Sequence, residues 1–328
     1  MDSQKPVKNL LGSRHNRKLL FSRKSEVVFI YAFLIVFIII AAILSSHFLG
    51  LRNVRNLFSK NVGLLLVSLG QMFVILLGGV DLSTGAVISV INVLCVSILR
   101  DGNTGSYFAM LVVAIAFGAL VGLINGLLVT KGNIQPIIAT LATQTILSGI
   151  ALYIQAKPGG ELPKNLCNFV TKGWNYLVPI IIGIAATLVI WLLLNRTRTG
   201  RNILAVGGNE QAARSSGILV DRTKVQAFII CGIMSALAGL YISAYSKSGS
   251  PIIGDSYSQN SINAAVIGGA SLMGGKSSAI GCVAAVLIIG IVGNILNLMH
   301  VSSYYQYVLT GVILMVALTM SALRKMKQ

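Results

Sequence analysis

The chain has 328 residues, 55% of them hydrophobic and only 10% charged, with a formal net charge of +18 and a mean hydropathy of +0.82. A soluble domain needs a charged shell that this composition cannot supply, and apolar runs of about 20 residues, the length of helix that crosses hydrocarbon, recur along it. The basic residues cluster between apolar runs and are not interleaved with aromatics, which excludes nucleic acid as a partner and fits the Lys/Arg bias of cytoplasmic loops.

Ten-residue strands of alternating polarity are absent, so the expected class is all-α, a polytopic membrane helical bundle. The N-terminal stretch carries Lys5, Lys8, Arg14, Arg17, Lys18, Arg23 and Lys24. The apolar run behind it, 27–48, is too long for a cleaved signal core and reads as a retained first helix. Further spans are expected at 61–79, 84–99, 107–129, 134–154, 177–194, 225–245, 255–273, 277–299 and 304–323. That makes about ten, or eight if the short 84–99 and the Gly-, Asn- and Ser-rich 255–273 are not true spans. Residues 1–26 then form a basic cytoplasmic segment, 27–323 one transmembrane domain that includes the loop 195–224, and 324–328 a basic tail. Both termini and the basic loop 195–224 are expected inside, although Arg52, Arg55 and Lys60 then fall outside, against the bias.

Cys95, Cys231 and Cys282 lie in apolar segments and Cys167 stands alone in a polar loop, so no disulfide framework is expected; three scattered histidines make no metal site. No catalytic residue, cofactor or metal is expected.

GGVDLSTG at 78–85 echoes GGASLMGG at 268–275, and each interrupts an apolar stretch. Paired Gly-broken segments point to a transport pathway, while Gly patches that allow close helix packing are the alternative. Asp81 is the one acid closely flanked by spanning sequence. It suits capping of the helix that follows, and lining of a pathway is the other reading. The intramembrane amides are Gln71, Asn92, Asn125, Gln144, Asn263, Asn294 and Asn297. Each offers donors and an acceptor to a hydroxyl-rich solute, but amides also join helices to one another. Candidate pathway residues are therefore Asp81, Asn92, Asn125, Gln144, Asn263, Asn294 and Asn297.

Ala270 to Ser277 falls one residue short of a phosphate-binding loop. It lies between spans, with no room for a nucleotide-binding domain, so the chain is not expected to hydrolyse ATP. The loop from Thr197 to Lys224 is more informative. After Gly207-Gly208, Asn209 is placed to cap a short helix with Glu210 in its first turn, and Gly217 to end it. Such a helix suits docking to a cytoplasmic partner; a solvated inside loop is the plainer reading.

GRNILAVGGNEQAARSSGI at 200–218 resembles the coupling-helix region of ribose-type sugar ABC permeases. The resemblance continues in GGVDLSTG, in NGLLVTKGNIQPIIATLAT at 125–143, in VIGGASLMGGKSSAIG at 266–281 and in NLMHVSSYYQ at 297–306, in the same order. It implies a permease that pairs with a second copy in the bacterial inner membrane, docks a cytoplasmic ATPase, and receives a monosaccharide from an extracytoplasmic binding protein. By position, Gly207, Gly208, Asn209, Glu210, Ala212, Ala213, Arg214 and Gly217 become the ATPase-coupling element. Branched-chain amino-acid permeases share related features and remain an alternative, as does an ion-coupled secondary transporter.

Overall fold

A computed structural model describes residues 11–99 and 104–302, with positions 305, 308, 311 and 312. The expected last span 304–323, the tail 324–328, Lys5 and Lys8 fall wholly or mostly outside the described residues. Among those described, the chain is helical throughout and no strand forms. Eleven helices follow in order: α1 (Leu11–Leu44), α2 (Leu51–Leu76), α3 (Thr84–Ile98), α4 (Thr104–Thr130), α5 (Pro136–Ile154), α6 (Lys164–Arg196), α7 (Arg198–Gly208), α8 (Glu210–Ser215), α9 (Val220–Ser246), α10 (Asp255–Ile267) and α11 (Ala279–Leu298). Seven are long and apolar enough to cross a membrane: α1 from Val27, α2, α4 from Gly105, α5, α6, α9 and α11.

Several boundaries differ from the expected ones for physical reasons. Helix α2 starts at Leu51, ten residues before the apolar run, so Arg52, Arg55 and Lys60 belong to a polar first half of a helix. Pro136 opens α5, where its missing N–H costs nothing. Helix α6 is broken at Gly173–Tyr176, and Trp174, Asn175 and Tyr176 have positive φ. Tyr176 Oη donates to Asn56 (2.8 Å) and Arg55 donates to Asn175 (2.7 Å), which holds the break against the start of α2. Helix α10 has only 13 residues and α3 only 15.

The core runs along α2, whose apolar residues from Val62 to Leu76 are buried against α9, α10, α11 and α6. Apolar side chains of α1, α4, α5 and α6 face outward, as helices in lipid require. The most intimate pair is α4 with α9. Gly118 and Gly122 face Gly232 and Phe228 so closely that a Cβ on Gly118, Gly122 or Gly232 would collide with backbone of the opposing helix. Small residues four apart let two helix backbones approach in this way.

The connections gather at two ends. One carries the 77–83 and 268–278 loops together with α7 and α8. The other carries the start of α2, the break in α6, and the loops 155–163 and 247–254. There Gly159 and Gly249 exchange backbone hydrogen bonds (2.9 and 3.0 Å).

Candidate functional site

At the first end, Thr197 caps α7 by accepting from the Gly200 N–H (3.1 Å), and α7 buries Ile203 and Val206. Its C-terminal turn brings Gly207 against the Leu76 carbonyl at the end of α2, so close that a Cβ could not fit. The Gly275 N–H donates to that same carbonyl (2.9 Å). The two Gly-rich segments that echo each other in sequence therefore meet, and α7 sits on their junction.

Helix α8 has the expected ends. The Asn209 side chain accepts from the Ala212 N–H (2.9 Å). Gly217 takes φ +80° while the Ile218 N–H returns to the Ala213 carbonyl (3.1 Å). The faces of α8 divide its residues. Ala213 is buried against Val206 and Val220, with Leu77 and Ile218 beside them, so its methyl holds the helix to the chain and does not face outward. Gly207 likewise points inward. Gly208, Asn209, Glu210, Gln211, Ala212, Arg214 and Gly217 are exposed. Glu210 accepts from Lys224 (2.8 Å) and lies 3.6 Å from Arg214, which also approaches Asp221 (3.5 Å). Exposed pairs of this kind contribute about 0–1 kcal/mol, so they orient the surface more than they stabilise it.

Beyond Gly78, whose φ is +76°, the chain turns back into the bundle alongside α2. The Gln71 amide, in the orientation that satisfies both groups, accepts from the Asp81 N–H (3.0 Å) and donates to the Asp81 carbonyl (3.2 Å). The Asp81 carboxylate accepts from the N–H (2.9 Å) and hydroxyl (2.6 Å) of Ser83. Asn125 donates to the Ser83 hydroxyl (2.9 Å) and accepts from Thr143 (2.6 Å). Ser83, not Asp81, occupies the N-cap position of α3, and Asp81 organises the turn before it. The chain Asp81–Ser83–Asn125–Thr143 is buried and pins α3 to α4 and α5.

The other amides separate by environment. Asn92, fully buried, donates to Ser243 (2.9 Å) and accepts from the Ser250 N–H (2.6 Å), tying the 247–250 loop to α3. Asn263 is buried and accepts from Gln259 (3.2 Å). Gln144 is half-buried on α5, and Asn297 is exposed near the end of α11. Asn294 exchanges reciprocal hydrogen bonds with Asn53 (both 2.9 Å).

That last pair borders a polar cleft of about 410 Å³ at the end opposite α7, with Asn56, Ser59, Lys60, Tyr176 and Tyr245 among its walls. Its amides and hydroxyls can pair with the hydroxyls of a polyhydroxylated solute, and Lys60, Lys172 and Lys247 give the cleft positive charge. None of these wall residues besides Asn294 was expected from sequence, yet Asn53, Asn56 and Lys60 recur at a helical spacing that marks one polar face. A larger cleft of about 580 Å³ lies between α1, α2, α6 and α11, but Leu65, Ile184, Val286 and Leu287 make its walls mainly apolar.

A family profile described as "Branched-chain amino acid transport system / permease component" matches residues 53–318. The ribose import permease protein of Bacillus subtilis is 40% identical over 293 residues, 87% of this chain and 89% of that protein. The D-allose transport system permease protein of Escherichia coli is 33% identical over 306 residues, 93% of each chain. The L-arabinose transport system permease protein of Escherichia coli is 35% identical over 292 residues, 88% of each. No solved structure matches the chain significantly. With its apolar helices, its Gly-rich junction under α7 and this similarity over nearly its whole length, the chain belongs to the ABC-importer permease family, among the ribose, allose and arabinose permeases.

Proposed function

We propose that the chain forms the membrane passage of an ATP-driven importer for a monosaccharide in the bacterial plasma membrane. It works as one of two identical copies, with a separate cytoplasmic ATPase as the motor and an extracytoplasmic binding protein as the donor of sugar. The observation that carries this reading is the seat of α7 on the Leu76 carbonyl beside Gly275, within a chain similar to sugar permeases. A push on the exposed face of α8 would pass to α7, and through the Gly207 contact to the end of α2 and to the 268–278 loop. The polar cleft at the far end, bordered by Asn53 and Asn294, is placed to admit the solute.

In this reading the chain crosses about ten times with both termini inside, and α7 and α8 face the cytoplasm. Residues 1–26 are a basic cytoplasmic segment, 27–323 the permease domain and 324–328 a tail. The family profile's own description favours a second substrate class, branched-chain amino acids.

The decisive experiment reconstitutes the permease with its ATPase and binding protein in liposomes and follows labelled ribose and labelled leucine. ATP-dependent uptake of the sugar but not of leucine is expected. Uptake of leucine alone would move the chain to the second class, and uptake driven by an ion gradient without the ATPase would overturn the reading. Orientation is checked in intact cells with an impermeant thiol reagent. Asn165→Cys should label and Ser215→Cys should not; the four native cysteines are buried.

A further inference from the structure

Helix α10 has an open face that differs from every apolar outward face of the bundle. Its Gly268 C-cap stands against Cys282 in the first turn of α11, so the two helices share the end that carries α7. At 1.5 Å per residue, Gln259 and Asn260 lie roughly 12–14 Å from that end and Asp255 about 20 Å, all within a hydrocarbon layer of about 30 Å. The opposite side of α10 is buried: Ser258 donates to the Leu82 carbonyl (2.7 Å), and Ser261, Ala264 and Ala265 pack inward. Asp255 and Gln259 are exposed, and Ser256 and Asn260 partly so.

Residues 255, 256, 259 and 260 form one stripe at helical spacing. Facing lipid, a carboxylate within the hydrocarbon layer is costly even at the first turn of a helix, and the amides beside it would add to that. Elsewhere the outward positions are mainly apolar: those of α4 and α5 include Val112, Leu120, Ile138 and Ile146, and the exposed Thr145 of α5 turns its hydroxyl onto the Leu141 carbonyl of its own helix. A polar stripe at this depth belongs against water or protein.

We propose that Asp255, Ser256, Gln259 and Asn260 line the solute route, as a binding stripe for the hydroxyls of a neutral sugar, closed on its open side by the same face of a second copy. This rests on the importer reading above and names the residues at mid-depth that meet the solute. A two-fold axis brings each stripe opposite its equivalent, so the route has amides on both walls and a carboxylate from each chain toward the far end. Carboxylates and amides accept from sugar hydroxyls, and the amides also donate. Toward α7 the same face continues as Ile262, Val266 and Ile267, each partly exposed, an apolar stretch that offers a sugar nothing to bind.

The test uses Gln259→Cys in the full transporter complex reconstituted in liposomes, with Val112→Cys on the outward face of α4 as the control. Gln259→Cys should react with a charged, water-soluble thiol reagent roughly tenfold or more faster than Val112→Cys, because hydrocarbon excludes the reagent. Saturating transported sugar should slow that reaction. A bifunctional thiol reagent long enough to bridge a sugar-wide gap should join two Gln259→Cys copies and no Val112→Cys copies. Reactivity no greater than that of Val112→Cys, absence of sugar protection, or absence of the cross-link would each overturn the assignment. Wild-type uptake is measured alongside: if it persists while the cysteine results fail, only the stripe assignment falls. If wild-type uptake of sugar is itself absent, the importer reading fails.

Discussion

The carbonyl of Leu76 is shared: Gly275 donates its N–H to it across 2.9 Å, and Gly207 of α7 closes over it with no room for a side chain. Three chain segments far apart in sequence thus meet at one point through their backbones. A contact of this kind has no side chain to rotate away, so a shift of α7 is felt at the end of α2 and in the 268–278 loop together.

Substitution at Gly207 should therefore separate coupling from passage. Gly207→Val forces a branched side chain onto the Leu76 carbonyl, an overpacking cost of about 1–3 kcal/mol. The thermal midpoint of the purified protein should fall, and ATP-dependent uptake should drop more than the loss of folded protein explains. Gly208→Ala enters open space and should stay within about 0.5 kcal/mol of wild type, with normal uptake. Equal behaviour of the two variants would show that the junction transmits nothing.

The two alanines of α8 should behave oppositely. Ala213→Arg drives a cation into the buried contact with Val206 and Val220, so expression and thermal stability should both suffer. Ala212→Arg lies on the exposed face; the protein should fold normally, yet retain much less ATPase on affinity purification and lose uptake. Normal ATPase recovery with Ala212→Arg would remove the docking role from this face.

Asp81 is the third position. Asp81→Ala leaves the Ser83 N–H and hydroxyl without their acceptor, at a cost of about 1–3 kcal/mol, read as a lower thermal midpoint in detergent. Asp81→Asn keeps an acceptor oxygen toward Ser83 and should retain most ATP-driven uptake. A well-folded Asp81→Asn protein with no uptake would instead place the carboxylate's charge in the transport step, as an ion-coupled carrier would require.

What sequence reveals here is what local chemistry decides. The ends of α8 were legible because Asn209 and Gly217 act on backbone within three to five residues of themselves. The start of α2 was not, because helix continues through Arg52 to Lys60 on the strength of packing and the α6 contacts, while hydropathy registers only the later apolar run. The orientation of Ala213 was hidden for a similar reason: it is set by Val206 and Val220, which approach only once α7 and α9 are in place. The amides showed their number but not their duty. Asn125 and Asn92 hold helices and a loop together, whereas Asn294 finds Asn53 from 241 residues away and with it the polar cleft.

The Gly118 and Gly122 approach of α4 to Gly232 and Phe228 of α9 has a mechanical consequence. Two backbones that touch without side chains between them have no soft layer in which to slide, and any rotation would drive helix into helix. The pair acts as a strut. Whatever rearranges when solute passes must pivot around it, with α4 and α9 moving as one body.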